Sequence, residues 1–387
     1  MDTILLNLYG RYKMKKLGFG FMRLPVTDKE DVTTIDYGQL NAMVDKFIAG
    51  GFTYFDTAFF YHKGVSEEAI RKSLVARYPR ESFILADKMP VFIIKEEGEY
   101  QTYFDGQLEK CGVDYFDYYL LHNLGARTYP STCELGGFEY VQKLKAEGKV
   151  KRIGFSFHDK ADLLDRILTE HPEMEFVQLQ INYVDWEDKT IQSGQCYEVA
   201  RKHGKDIIVM EPVKGGSLAN LSEEAESVFK AINPNVSNAS WALRYAQSLE
   251  GVIAILSGMS EMAHIDDNMK ICDTFTPLTD REREAVKAVE KIIKESIYVS
   301  CTDCRYCVDD CPKNIAIPQY FGMFNQAKRY GNTLIQSVYY GNLASHEGIG
   351  AADECIECGK CEDHCPQHLP IIKHLKELDE LFKSISL

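Results

Sequence analysis

The chain has no surplus of positive charge. Its 387 residues carry 44 Lys and Arg against 58 Asp and Glu, a formal net charge of −14. Proteins that bind nucleic acid need basic patches to neutralise phosphates, so no nucleic-acid partner is expected, and the acidic balance favours solubility. No apolar run approaches the length of a membrane span, so no membrane association is expected either. The opening stretch MDTILLNLYGRYKMKK lacks the long apolar core and small-residue cleavage site of a secretory signal. Met14 is a candidate natural start, with residues 1–13 as a weakly structured leader. There is no low-complexity segment, and no G-x-G-x-x-G follows the first apolar run, Leu17-Gly-Phe-Gly-Phe-Met-Arg, where a doubly wound dinucleotide-binding sheet would carry it. What remains is ordinary globular composition, 45% hydrophobic and 26% charged, at a length suited to two or three domains.

The most specific feature lies near the C-terminus. It reads Cys301-Thr-Asp-Cys304-Arg-Tyr-Cys307-Val-Asp-Asp-Cys311-Pro312, and the spacing returns at Cys355-Ile-Glu-Cys358-Gly-Lys-Cys361-Glu-Asp-His-Cys365-Pro366. Each run is C-x2-C-x2-C-x3-C-P, the bacterial ferredoxin spacing for cubane iron–sulfur clusters. A short loop lets three thiolates point inward together, and the fourth ligand often comes from the other run. The trailing Pro cannot extend a helix, so it turns the chain after the last ligand. Two zinc sites or a disulfide framework are the competing readings. Zinc usually takes its ligands as two separated pairs, and disulfides suit secreted chains. The other four cysteines, Cys111, Cys133, Cys196 and Cys272, are scattered and read as core or surface thiols. Cluster thiolates call for a reducing compartment, so the cytoplasm is the expected location.

Between residue 17 and about 275, short apolar runs alternate with amphipathic helical stretches. The runs are Leu17–Phe21, Thr53–Asp56, Phe83–Lys88, Phe116–His122, Arg152–Phe157, Phe176–Asn182, Ile207–Val213 and Val252–Gly258. They are too continuous for half-exposed antiparallel strands and read as parallel strands buried on both faces. Eight such strand–helix units point to a closed TIM-type (β/α)8 barrel, with a six-stranded doubly wound sheet as the runner-up. A barrel of this kind places its chemistry at the C-terminal ends of its strands. There the sequence offers Asp56 with Tyr61 just beyond, Lys88 and His122.

The segment from Phe55 to Glu67, FDTAFFYHKGVSE, resembles the D-T-A-x-x-Y…G-x-S-E signature of aldo-keto reductases. The resemblance extends over residues 17–275, and the remainder resembles the ferredoxin extension of one branch of that family. It implies a catalytic tetrad of Asp56, Tyr61, Lys88 and His122 and reduction of a small carbonyl compound, or oxidation of the alcohol, with NADP(H) or NAD(H). The residue types suit that chemistry. A phenol ordinarily ionises near pH ~10, and a neighbouring ammonium is expected to bring Tyr61 toward the working pH. Asp56 would hold Lys88, and His122 would donate a hydrogen bond to the substrate oxygen. Taken singly, each has a structural reading: an N-cap, a packed aromatic, a solvated amine, a satisfied imidazole.

The same resemblance assigns the nicotinamide contacts to Ser156, Gln180 and Met210, although Phe157 stands where many relatives have Asn. Pro212, Lys214, Gly216 and Leu218 fall in the loop that it places over the pyrophosphate, and Ser257, Gly258, His264 and Asn268 where it places the adenosine. That last loop has no Lys or Arg to meet a 2′-phosphate, so NADP and NAD both stay open. The N-terminal hairpin that plugs many barrels of the family is not evident. Aromatic residues in the rim loops (Phe92, Tyr129, Trp186) suit an apolar substrate.

The first domain is expected over residues 1–297, ending in an amphipathic helix opened by Thr279 and Glu282 as a capping box; that helix is expected to pack on the barrel. The second is expected over 298–387. Its cysteine runs are separated by a long segment with helical stretches, Gln319–Lys328 and Thr333–Tyr339, which resembles the α-helical ferredoxin type, with a last helix at Ile371–Phe382. That resemblance implies two [4Fe–4S] clusters with crossed ligation: Cys301, Cys304 and Cys307 with Cys365, and Cys355, Cys358 and Cys361 with Cys311. The rival to a reductase is an electron-transfer protein that serves a redox partner, its barrel acting as a docking or sensing scaffold.

Overall fold

The computed structural model describes residues 14–188, 191–330 and 333–383; the proposed leader, residues 1–13, lies outside them. Eight parallel strands close into a barrel in sequence order. They are β1 (Leu17–Gly20), β2 (Tyr54–Asp56), β3 (Ile84–Met89), β4 (Phe116–Leu124), β5 (Val150–Phe157), β6 (Phe176–Gln180), β7 (Asp206–Met210) and β8 (Val252–Gly258). Every expected apolar run contains one strand, with ends displaced by a few residues, and the doubly wound alternative is excluded by the β1–β8 pairing from Leu17↔Ile255 to Gly20↔Gly258.

Two cores follow from the twofold alternation of side chains along a strand. Tyr54, Ala86, Tyr118, Leu120, Phe176, Ile208, Ala254 and Leu256 fill the barrel interior. Their sequence neighbours Phe55, Leu85, Tyr119, Leu121, Val177, Ile207, Val209 and Ile255 face outward into the strand–helix layer. The same parity carries the inner face upward from the interior layer to Asp56, Lys88, His122, Gln180, Met210 and Gly258. Because all strands are parallel, these positions meet at one rim.

By their contacts the residues form two compact units. One holds the described residues up to 188, 192–213 and 239–280; the other holds 191, 214–238 and 281–383. The helix Asp280–Ser296 forms as expected, with Ala285, Val286, Val289 and Ile293 buried, but by contacts all of it after Asp280 belongs to the second unit, as does the segment 214–238. A boundary at 297 therefore separates the strands from the cysteine runs without following the compact units.

The second unit packs helices Ile317–Tyr330 and Ile371–Lys383 around Val299, Tyr320, Phe321, Phe324, Leu375, Leu378 and Phe382. Asn325 clamps Val299 at both backbone atoms, donating to its carbonyl at 2.7 Å and accepting from its N–H at 2.8 Å. The duplicated cysteine spacing is also a duplicated backbone. Positive φ recurs at Asp303 and Glu357, Arg305 and Gly359, and Asn314 and His368, which are equivalent positions of the two runs. Each run then enters one turn of helix, Tyr306–Asp309 or Lys360–Asp363. Among the described residues no helix is long and apolar enough to cross a membrane.

Candidate active site and cysteine cavities

Lys88 reaches the rim from the inner face of β3 and is fully buried. Its Nζ donates to Asp56 Oδ1 at 2.6 Å and to the Thr57 carbonyl at 2.7 Å, and lies 4.8 Å from the centre of the Tyr61 ring. The Tyr61 and His122 rings meet edge to face at 6.2 Å. The four side chains expected to form a tetrad are thus together.

Local sequence explains the placement. Tyr61 opens a short turn, Tyr61–Gly64, in which His62 and Lys63 adopt left-handed φ of 52° and 54°. His62 holds that turn to the segment after β1: its Nε2 accepts from Leu24 N–H at 2.9 Å and its Nδ1 meets the Val32 carbonyl at 2.6 Å. Ser66 Oγ donates to the Phe21 carbonyl at 3.1 Å and bonds Thr57 Oγ1 at 2.8 Å. Glu67, wholly buried, accepts from Gln107 Nε2 at 3.0 Å, and the same amide donates to the Lys88 carbonyl at 3.0 Å. The Thr, Ser and Glu of the signature segment are therefore supports that fix Tyr61 and strand β3. Nothing in the local pattern marked His62 or Gln107 for this.

Electrostatics at the rim are set by burial. Burial raises the Asp56 carboxyl, with Lys88 acting in the opposite direction. Burial also pushes the Tyr61 phenol well above its ordinary value, and Asp56, Asp87 and Glu211 push the same way. The expectation that Lys88 would draw the phenol down is corrected here: its charge is matched by Asp56 at bonding distance, so the phenol faces a neutralised pair. Burial, then the fields of Lys88 and His158, hold His122 well below the usual imidazole range. His122 is neutral near pH 7, and among the described residues its Nδ1 finds no hydrogen-bond partner.

The expected cofactor contacts divide. Ser156 is buried and its Oγ accepts from Asn123 N–H at 2.7 Å, beside an irregularity in the β4–β5 pairing. Gln180 donates to Asp185 at 2.9 Å. Met210 ends β7, its sulfur 3.5 Å from Gln178 Nε2, and buried Pro212 follows. Gly258 is exposed at the end of β8, and His264 accepts from Ser260 N–H at 3.3 Å. Ser257 has the outward parity, and its Oγ accepts from Asn268 at 3.1 Å, tying β8 to the helix Met262–Asp273. Lys214, Gly216 and Leu218 belong to the second unit. Lys214 is buried and donates to Gln367 at 3.2 Å.

The sequence reading passed over Arg23, whose stem would lie 3.1 Å from a side chain begun at Gly258. It also passed over Phe60, 42% exposed, which packs on Phe92 at 5.3 Å while Phe92 meets His122 at 5.8 Å. Of the three rim aromatics expected at the site, only Phe92 is there. Tyr129 turns to Glu170 and Phe138, and Trp186 packs on Tyr197 and Tyr245.

In the second unit Cys301, Cys304, Cys307 and Cys365 line one cavity. Cys311, Cys355, Cys358 and Cys361 line another. Among the described residues no three His, Cys, Asp or Glu side chains converge on a point that would hold a single metal ion. Thiolates standing around a cavity suit a cluster, in which each binds its own iron, better than one tetrahedral zinc.

The Aldo/keto reductase family model matches residues 16–291, and the 4Fe-4S dicluster domain model matches residues 300–369. The chain is similar to the uncharacterized oxidoreductase YqkF of Bacillus subtilis (strain 168), 24% identical over 315 residues that span 74% of this chain and 94% of YqkF. Its fold is similar to that of aldo-keto reductase AKR11C1 from Bacillus halodurans in its holo form. That likeness has a TM-score of 0.57 and 22% identity, over 71% of this chain and 91% of the other. An aldo-keto reductase from Klebsiella pneumoniae, solved in complex with NADPH, gives a TM-score of 0.56 at 20% identity over 72% and 91%.

Removing one partner of a buried ion pair strands the other. Lys88→Met is expected to lower stability by about 3–5 kcal/mol in urea unfolding of the barrel transition; a loss under about 1 kcal/mol would mean that the pair is solvated.

Proposed function

The chain belongs to the aldo/keto reductase family, and from that premise we propose that it reduces a small aldehyde or ketone with NADP(H) or NAD(H), Tyr61 giving the proton. The observation that carries this reading is the position of Lys88 Nζ, 2.6 Å from Asp56 Oδ1 and 4.8 Å from the centre of the Tyr61 ring. The nicotinamide, when bound, supplies the hydride to the carbonyl carbon. The carbonyl oxygen takes its proton from the Tyr61 hydroxyl, which burial keeps protonated until negative charge develops on that oxygen. His122, neutral, donates an N–H to the same oxygen. Lys88, pinned by Asp56 and 4.8 Å from the centre of the Tyr61 ring, is a positioning residue that fixes where the phenol meets the substrate oxygen.

Cofactor binding is assigned within the barrel unit to Ser156, Gln180, Met210, Pro212, Gly258 and His264, with Asn268 acting through Ser257. Arg23 beside Gly258 supplies the cation that the loop after β8 lacks. Phe60 and Phe92 form an apolar wall next to His122, which favours an apolar carbonyl compound. The eight run cysteines are read as ligands of two [4Fe–4S] clusters in the crossed arrangement, supported by the membership of the two cavities. Those clusters, when bound, supply one-electron chemistry.

Tyr61→Phe is expected to lower kcat by about 100- to 10,000-fold while NADPH binding, followed by fluorescence, stays near wild type; near-wild-type turnover would remove Tyr61 from the mechanism. Cys311→Ser separates crossed from uncrossed ligation. Crossed ligation predicts that Cys311→Ser behaves like Cys358→Ser in cluster spectroscopy and leaves the Cys301 cluster signal unchanged. A change in the Cys301 cluster signal instead would contradict it.

A further inference from the structure

The two cysteine cavities share spacing and backbone but not the charge beside them. The cavity of Cys301, Cys304, Cys307 and Cys365 is also lined by Gln367, a buried side chain whose Oε1 accepts from Lys214 Nζ at 3.2 Å. Lys214 is itself 3% exposed and belongs to the same compact unit as the cysteines. Arg305, a cation that lines this cavity directly, is exposed and lies 3.3 Å from Asp303. The second cavity has Lys313 and Lys360 on its wall, both exposed. Its Cys358 is exposed, and Ile356 stands 58% exposed beside it. Water and salt screen exposed charges, whereas a buried charge keeps most of its field.

We propose that Lys214 sets the two clusters apart: its buried ammonium gives the cluster at Cys301, Cys304, Cys307 and Cys365 a higher reduction potential than its twin. The proposal rests on the reading of these cysteines as cluster ligands. Reduction of a [4Fe–4S] cluster adds one electron, here from an external one-electron donor such as dithionite, and breaks no bond. The added negative charge is stabilised by a nearby cation more than the oxidised cluster is, so the potential rises. Gln367 anchors the ammonium by its side-chain oxygen and is a positioning residue. With a buried cation beside the Cys301 cavity and exposed ones at the other, an electron taken up at the solvent-open Cys358 side comes to rest on the Cys301 cluster.

The test is a redox titration followed by electron paramagnetic resonance on the full-length protein, loaded with iron and sulfide under anaerobic conditions. Wild type is expected to show two cubane signals with distinct potentials. A protein without two such clusters overturns the ligand reading and the proposal with it. In Lys214→Met with both clusters loaded, the higher potential moves to a more negative value and the lower stays. Lys214→Arg, which keeps the charge, returns it toward wild type. Should Lys214→Met fail to load its clusters, Gln367→Leu keeps the charge but removes its anchor, and the same potential moves the same way by less. Two unchanged potentials in a loaded variant, or an equal shift of both, overturn the proposal while leaving the ligand reading intact.

Discussion

The ion pair between Lys88 and Asp56 constrains everything else at the barrel rim. Two unit charges are enclosed where neither is more than a few per cent exposed, and such a pair is sustained only by good geometry and further hydrogen bonds. The Thr57 carbonyl provides one. Strand β3 must then hold Lys88 at a fixed height, which the Gln107 amide secures by binding its carbonyl. Gln107 is in turn held by Glu67 and by the Tyr119 hydroxyl at 2.5 Å. The turn bearing Tyr61 is fixed independently through His62 and Ser66. A phenol, an imidazole and a matched ion pair are thereby held together at one rim with little left to rearrange, which is the kind of preorganisation that positioned catalytic groups require.

The second unit applies a different device. A twelve-residue cysteine pattern is used twice, and the backbone repeats with it, down to the left-handed positions. Such loops turn successive N–H groups toward one concavity, which suits anionic sulfur. The equality ends at the side chains: one cavity borrows a buried cation from residue 214, and the other opens to solvent at Ile356 and Cys358. Identical spacing therefore need not mean identical redox behaviour.

Much of this was legible in the sequence because it depends on local pattern. Continuous apolar runs identified all eight strands, and their C-terminal ends marked Asp56, Lys88 and His122 at one rim. The cysteine spacing marked both loops, and the two cavities enclose the crossed sets that the helical ferredoxin resemblance implied. What escaped depends on contacts remote in sequence. Tyr129 and Trp186 looked like pocket residues but pack into the helical layer, since loop position does not give side-chain direction. Phe60 was hidden inside the signature segment that drew attention to Tyr61. Lys214 was placed in the Gly-rich loop over the pyrophosphate, a position that gives no sign of its hydrogen bond to Gln367, 153 residues away. The direction of the Tyr61 shift was missed for a related reason: the neighbouring ammonium was foreseen, but not that its carboxylate partner would cancel it within a buried site.

The central claim is that the rim keeps Tyr61 protonated until a substrate oxygen demands its proton. An ultraviolet pH titration of wild type against Tyr61→Phe isolates that phenol among the protein's tyrosines. The account predicts no difference signal for phenolate up to pH 10.0, the ordinary phenol value, because burial and the surrounding carboxylates raise this group above it. A difference signal that develops near neutral pH would show Lys88 acting on Tyr61 unopposed and would contradict the account.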